Sequence, residues 1–170
     1  MDGVERLIQL LRSRADTRRL VQLDELLESG GGHDRRIVPF LLRVLEDRDE
    51  AVELRLEVVK ALTNLALAAD ERPAVAQAIA RVLAAGGAGR LRQQAAIALG
   101  CFPRVEGVAA ALGSVAVDPI ESVDLRFSAF ASLEAAGATP ESVRVVHRLT
   151  LDETLGPSAR VLLATWRIEA

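Results

Sequence analysis

Two short patterns alternate along this chain, and their alternation limits what it can fold into. The first is a valine followed by apolar residues four and seven positions on: Val4-Ile8-Leu11, Val38-Leu42-Leu45, Val75-Ile79-Val82 and Val108-Leu112-Val115. Val143-His147-Thr150 keeps the spacing but not the chemistry. The second is an arginine with apolar residues one before and three, four and seven after. It reads Leu54-Arg55 with Val58, Val59 and Leu62; Leu91-Arg92 with Ala95, Ala96 and Leu99; and Leu125-Arg126 with Ala129, Phe130 and Leu133. Ala159-Arg160 with Leu163 and Ala164 is a weaker copy, closed by Arg167, and Arg18 stands 37 residues before Arg55 in a poorly matching first unit. Offsets of three, four and seven put side chains on one stripe of a helix. The valines recur at intervals of 34, 37, 33 and 35 residues and the arginines at 37, 34 and 34. Each period therefore holds one helix of each kind, A then B.

The punctuation agrees. Pro73, Pro103, Pro140 and Pro157 stand where a first helical turn tolerates a missing N–H, Thr139 can cap the helix opened by Pro140, and glycines follow Ser29, Ala85 and Ala136 where helices should end. Ten helices are predicted, at about 2–14, 16–29, 35–47, 51–68, 72–85, 89–101, 104–116, 122–136, 140–151 and 158–168. A lone hairpin cannot bury its apolar stripe, whereas a neighbouring hairpin covers it. The expected fold is all-α: one domain, a right-handed α-solenoid of about five stacked hairpins with units at about 1–29, 35–69, 72–101, 104–137 and 140–169.

The B-helix motif, Leu/Val-Arg-x-x-Ala-x-x-x-Leu after an Asp-bearing turn, resembles the HEAT repeat, particularly the short units of the phycobilisome-lyase type. The likeness is carried by Asp47-Arg48-Asp49-Glu50 leading to Leu54-Arg55, by Gly89-Arg90-Leu91-Arg92-Gln93-Gln94-Ala95-Ala96-Ile97-Ala98-Leu99-Gly100, and by Asp118 leading to Leu125-Arg126-Phe127-Ser128-Ala129. It covers residues 35–170 best. The resemblance implies that Asp47 and Arg55, Asp118 and Arg126, and Asp152 and Arg160 belong to a ladder between neighbouring turns. The tetratricopeptide repeat shares the 34-residue period, but its Trp, Gly-Tyr and Ala-Phe-Pro positions are not found and the chain has no tyrosine.

Chemistry is harder to assemble. Cys101 alone closes no intramolecular disulfide, and with His33 and His147 it makes no four-ligand zinc cage; no catalytic residue, cofactor or metal is expected. Glu28-Ser29-Gly30-Gly31-Gly32-His33-Asp34 lacks the Gly-Lys-Ser/Thr ending of a phosphate loop and is expected to be a connector. Cys101 is expected to be a half-buried thiol. His147, Thr150 and Arg167 break apolar positions of the last unit, either as a polar capping face or as a pocket joining His147 to Arg167 or Glu141.

The charge balance narrows the partners. Net charge is −3, and the most basic stretch, residues 61–110, carries 5 basic against 3 acidic groups, too few to track a phosphate backbone. Twenty of the 21 basic residues are arginine, Lys60 being the exception, as expected of GC-rich bacterial coding. The acidic start Met1-Asp2-Gly3-Val4-Glu5-Arg6 does not resemble a signal peptide and no apolar run reaches membrane-spanning length, so a soluble, cytoplasmic protein is expected.

A partner should meet the open face of the B helices, at positions one, five and nine after each arginine: Leu56, Lys60 and Asn64; Gln93, Ile97 and Cys101; Phe127, Ala131 and Ala135; Val161 and Thr165. That mixed, partly apolar surface suits a protein or peptide. The expected function is a non-catalytic protein-interaction module, a scaffold or adaptor. A nucleic-acid-binding HEAT-like protein and a lyase-type chromophore-handling protein are the alternatives, and Trp166 with Ile168 of the last helix would serve a homodimer contact.

Overall fold

In the computed structural model, which describes residues 2–13, 17–30 and 34–168, the chain forms ten helices and, among the described residues, no strand. They are α1 (Gly3–Arg12), α2 (Arg19–Gly30), α3 (Ile37–Glu46), α4 (Val52–Asn64), α5 (Glu71–Ala84), α6 (Gly89–Leu99), α7 (Val108–Ala116), α8 (Val123–Ala136), α9 (Pro140–Leu149) and α10 (Gly156–Thr165). Their starts follow from local chemistry. Asp2, Ser122 and Thr139 each accept the backbone N–H three residues on, with Pro140 opening α9. Asp47, Asp118 and Asp152 accept the N–H two residues on, at 3.0, 2.9 and 2.9 Å, which shapes the turns between A and B helices.

Two helices are shorter than the pattern predicts. α4 ends at Asn64, not near 68, because Leu65 turns into extended backbone and Glu71 reaches back to accept the Ala68 N–H at 2.9 Å, fixing the entry to α5. α7 starts at Val108, not near 104: Gly107 has φ +82°, a left-handed conformation that interrupts the helix. Pro103 therefore lies in a turn, next to the buried Phe102, whose ring is covered by the Arg72 guanidinium at 5.1 Å.

Consecutive helices pack in pairs, α1 with α2 through α9 with α10. Across the pairs, α3, α5, α7 and α9 follow one another in one layer, and α2, α4, α6 and α8 in a second. The apolar stripes of both patterns form the core between the layers: Val75, Ile79, Leu112, Val58, Ala95, Leu99, Ala129 and Leu133 are all fully enclosed. α7 and α9 approach so closely at Gly113 that a Cβ there would sit 2.6 Å from a Val145 methyl.

Register differs from expectation at both ends. In α9 the buried stripe is Ser142, Val145, Val146 and Leu149, not Val143, His147 and Thr150. Ser142 lies 34 residues after Val108, so the period is kept and the polar substitution in the stripe is Ser142, whose N–H and hydroxyl are both engaged by Thr139 Oγ1. In α2 the repeating arginine is Arg19, not Arg18, with Gln22, Leu23 and Leu26 buried three, four and seven residues on.

The arginines are what the pattern is for. Arg19, Arg55, Arg92 and Arg126 each donate Nε to a carbonyl at the end of the A helix of the same pair: Leu11 O at 3.0 Å, Leu45 O at 2.9 Å, Leu83 O at 2.8 Å and Ala116 O at 3.0 Å. Arg160 reaches Thr150 O through Nη1 at 2.5 Å. The last carbonyls of a helix have no intrahelical partner, so the contact satisfies groups that burial would otherwise strand. The other edge of the guanidinium takes a carboxylate from the next pair. Arg19 holds Glu50 through two bonds of 2.5 and 2.6 Å, Arg92 holds Glu121 at 2.8 and 2.5 Å, and Arg126 holds Asp152.

The ladder thus runs between neighbouring units, but its partners differ from those expected. Asp47 and Asp118 shape turns, and Asp152 pairs with Arg126 in place of Arg160. Removing one member of a mostly buried pair leaves an uncompensated charge. Arg126→Met should therefore cost about 3 kcal/mol in denaturant unfolding. Arg92 holds the Glu121 carboxyl below its ordinary 4.5, and the Leu155 N–H, then Arg126, hold Asp152 below 3.8. Stability from these groups is full above those ordinary values and is lost as pH falls through the depressed ones. Acid unfolding followed by circular dichroism should start below about pH 4.5 and be shallower in Arg126→Met.

Candidate functional site

On α4 the outward positions are Leu56, half-buried against the core; Lys60, whose ammonium is 2.8 Å from Glu57 Oε1; and the exposed Asn64. Leu56 is thus a packing residue and no free anchor. On α6, Gln93 is half-buried and donates Nε2 to Ser128 Oγ of α8 at 3.2 Å, while Ile97 and, two residues past the helix end, Cys101 are exposed. The Cys101 thiol is therefore open to solvent, not half-buried: α6 stops at Leu99, and the chain turns so that Phe102 takes the interior place. On α8, Phe127 is 41% exposed and Ala131 faces solvent; on α10, Val161 is 67% exposed and Thr165 returns its hydroxyl to Val161 O at 2.9 Å.

Four of these residues meet. α8 and α10 do not pack as α4, α6 and α8 do, and between them runs a groove of about 480 Å³. Phe127, Ala131, Val161 and Thr165 form its walls together with Pro157 and Ser158, and Phe130 and Leu162 lie at its base. Glu134 is the one charged residue of the lining. Leu56, Lys60, Asn64, Gln93 and Ile97 do not contribute.

Phe130, Glu134, Pro157, Ser158 and Leu162 lie outside the face read from the sequence because offsets of one, five and nine residues within a helix carry no distance between helices. The separation of α8 from α10 has a correlate in composition: Phe127 and Phe130, two large rings, stand on α8 where α6 has Gln93 and Ala96. A second hollow, about 380 Å³, lies between α5 and α7 on the opposite layer, floored by Ala76, Ala80, Ala84 and Ala111. Alanine every fourth residue of α5 was its signal. Ile120 and Leu151, each 92% exposed, project from turns beside the ladder carboxylates.

The remaining polar residues form no second constellation. Among the described residues no hydrogen bond joins the half-buried His147 to Glu141 or Arg167, and no group of three or more His, Cys, Asp and Glu side chains is placed to hold a metal ion. Arg167 has φ +60° and lets the Ile168 N–H close onto Leu163 O at 2.9 Å, ending α10. Trp166 and Ile168 pack, half-buried, on the core. His33 lies outside the described residues. No helix among those described is long and apolar enough to cross a membrane.

No family model matches the sequence, and no curated protein matches it. The chemistry of the face thus follows from its own side chains: apolar walls, a single acid, Glu134, and the hydroxyls of Ser158 and Thr165 at opposite ends of α10.

Phe127 and Phe130 separate surface from support. Phe127→Glu should change unfolding free energy by no more than about 0.5 kcal/mol, as surface substitutions do. Phe130→Glu buries an unpaired charge and should cost more than about 3 kcal/mol. Urea titration of the two variants measures the difference.

Proposed function

We propose that the chain is a right-handed α-solenoid of about five HEAT-like hairpins and acts as a non-catalytic protein-interaction module, a scaffold or adaptor that takes an apolar helical segment of a partner between α8 and α10. The stacking is supported by packing within pairs and along each layer, and by the arginine ladder from one pair to the next. The binding role is supported above all by the groove of about 480 Å³ with Phe127 and Val161 on facing walls. Its size is that of a ligand site, and a cleft between two helices suits the apolar face of a third. Glu134 in the lining disfavours a polyanion.

The test begins with peptides selected from a displayed library against the full chain. Those selected should carry apolar residues at helical spacing. Phe127→Glu and Val161→Asp should each weaken them about 30-fold, the effect of losing an anchor worth 2 kcal/mol, while Ile120→Ser leaves affinity unchanged. Retained affinity in both groove variants would overturn the reading, and so would selection of basic or acidic peptides that map elsewhere.

A further inference from the structure

Arg55 is the one described ladder arginine between two units without a carboxylate from the next pair. Arg19, Arg92 and Arg126 hold Glu50, Glu121 and Asp152. Glu50 and Glu121 stand five residues before the following B-helix arginine; the residue five before Arg92 is Gly87, in the turn Gly86-Gly87-Ala88-Gly89. No acidic side chain occurs between Glu71 and Arg92. Nor is the vacant place filled by packing: a Cβ built on Gly86, Gly87 or Gly89 meets nothing within 4 Å.

A cavity of about 260 Å³ lies beside Arg55 and reaches Ala85, the residue before that turn; Glu46, Arg48, Arg81 and Val82 complete its lining. Three arginines face one carboxylate, and that carboxylate, Glu46, is already held by Arg81 through Nε at 2.9 Å and through Nη2. Arg55 spends Nε on Leu45 O, and among the described residues no carboxylate is hydrogen-bonded to the rest of its fork. Asp47 and Glu50 act on it only through space, and Arg48 repels it; partial burial is the largest influence and disfavours its charge. An arginine cannot shed its proton, so a partly desolvated fork whose terminal nitrogens hold no carboxylate is a standing demand for an anion.

We propose that the Arg48–Arg55–Arg81 cavity is a carboxylate-binding site, in which an external acid takes the place that Glu50 and Glu121 occupy in the other units. The neighbouring rungs define its chemistry: a planar carboxylate accepting two parallel N–H bonds. The acid is either a small free dicarboxylate or an acidic side chain of a bound peptide. The site is separate from the α8–α10 groove and does not depend on that groove binding anything.

Calorimetry on the full chain at low ionic strength, with succinate, an acetylated diglutamate peptide and inorganic phosphate as probes, tests the assignment. Succinate or the peptide should saturate a single site, the tighter of the two identifying the source, and binding should fade with added salt. Arg55→Gln should weaken it at least tenfold. Because that variant also loses the tether to Leu45, a second one supplies the acid internally: Gly86, at ordinary φ with open space around it, becomes glutamate. Gly86→Glu should abolish binding and raise Tm, whereas Gly86→Gln binds as the parent does. Absence of saturable binding, unchanged binding in Gly86→Glu, or phosphate binding more tightly than both acids would overturn the proposal.

Discussion

An arginine at the start of each B helix does two jobs with one planar group. Its Nε edge, or in Arg160 one terminal nitrogen, satisfies a carbonyl at the end of the A helix beside it, and in three units its terminal nitrogens grip a carboxylate from the next pair. A turn holds a hairpin together only loosely against chain entropy, and apolar stripes give attraction without register. A bidentate guanidinium has geometry, so it sets how far along and at what angle one pair lies on the next. Lysine could not replace it, since a point charge on a flexible stem cannot serve a carbonyl and a carboxylate at once.

The two cavities singled out above are places where this regular arrangement is relaxed. Between α8 and α10 the second layer parts, and the Phe127 and Phe130 rings of α8 line the groove that results. Between the second and third pairs the layers stay packed, but the turn has lost its side chains to glycine and the rung is missing its acid. One vacancy is apolar and the other is cationic. Small departures from a repeat thus leave two cavities of opposite character in an otherwise regular stack.

Much of this was legible in the chain. Period and stripe placed all ten helices, because burial of a 3.6-residue pattern leaves few alternatives to a helix. The outward faces of Ile97, Phe127 and Val161 followed from the same periodicity. What escaped had physical causes that composition does not carry. A stripe of Ser142, Val146 and Leu149 competes on paper with Val143, His147 and Thr150, and only the bond from Thr139 makes a buried serine acceptable. Arg18 and Arg19 are adjacent, and which of them enters the ladder depends on where Glu50 comes to lie. Asp47 and Asp118 read as ladder acids because the acids that do enter the ladder, Glu50 and Glu121, stand three residues after them, and in Asp152 one carboxylate serves both the turn and the ladder. The groove depends on a distance between helices, which no pattern within one helix encodes.

The central claim is that the interunit ion pairs couple neighbouring hairpins and are not decoration on a packed core. A double-mutant cycle on Arg92 and Glu121, with Arg92→Met, Glu121→Gln and the double variant compared by urea unfolding, tests it most directly. A coupling energy of about 1.5 kcal/mol or more is predicted for a mostly buried bidentate pair. Single-variant effects that add within about 0.3 kcal/mol would contradict it.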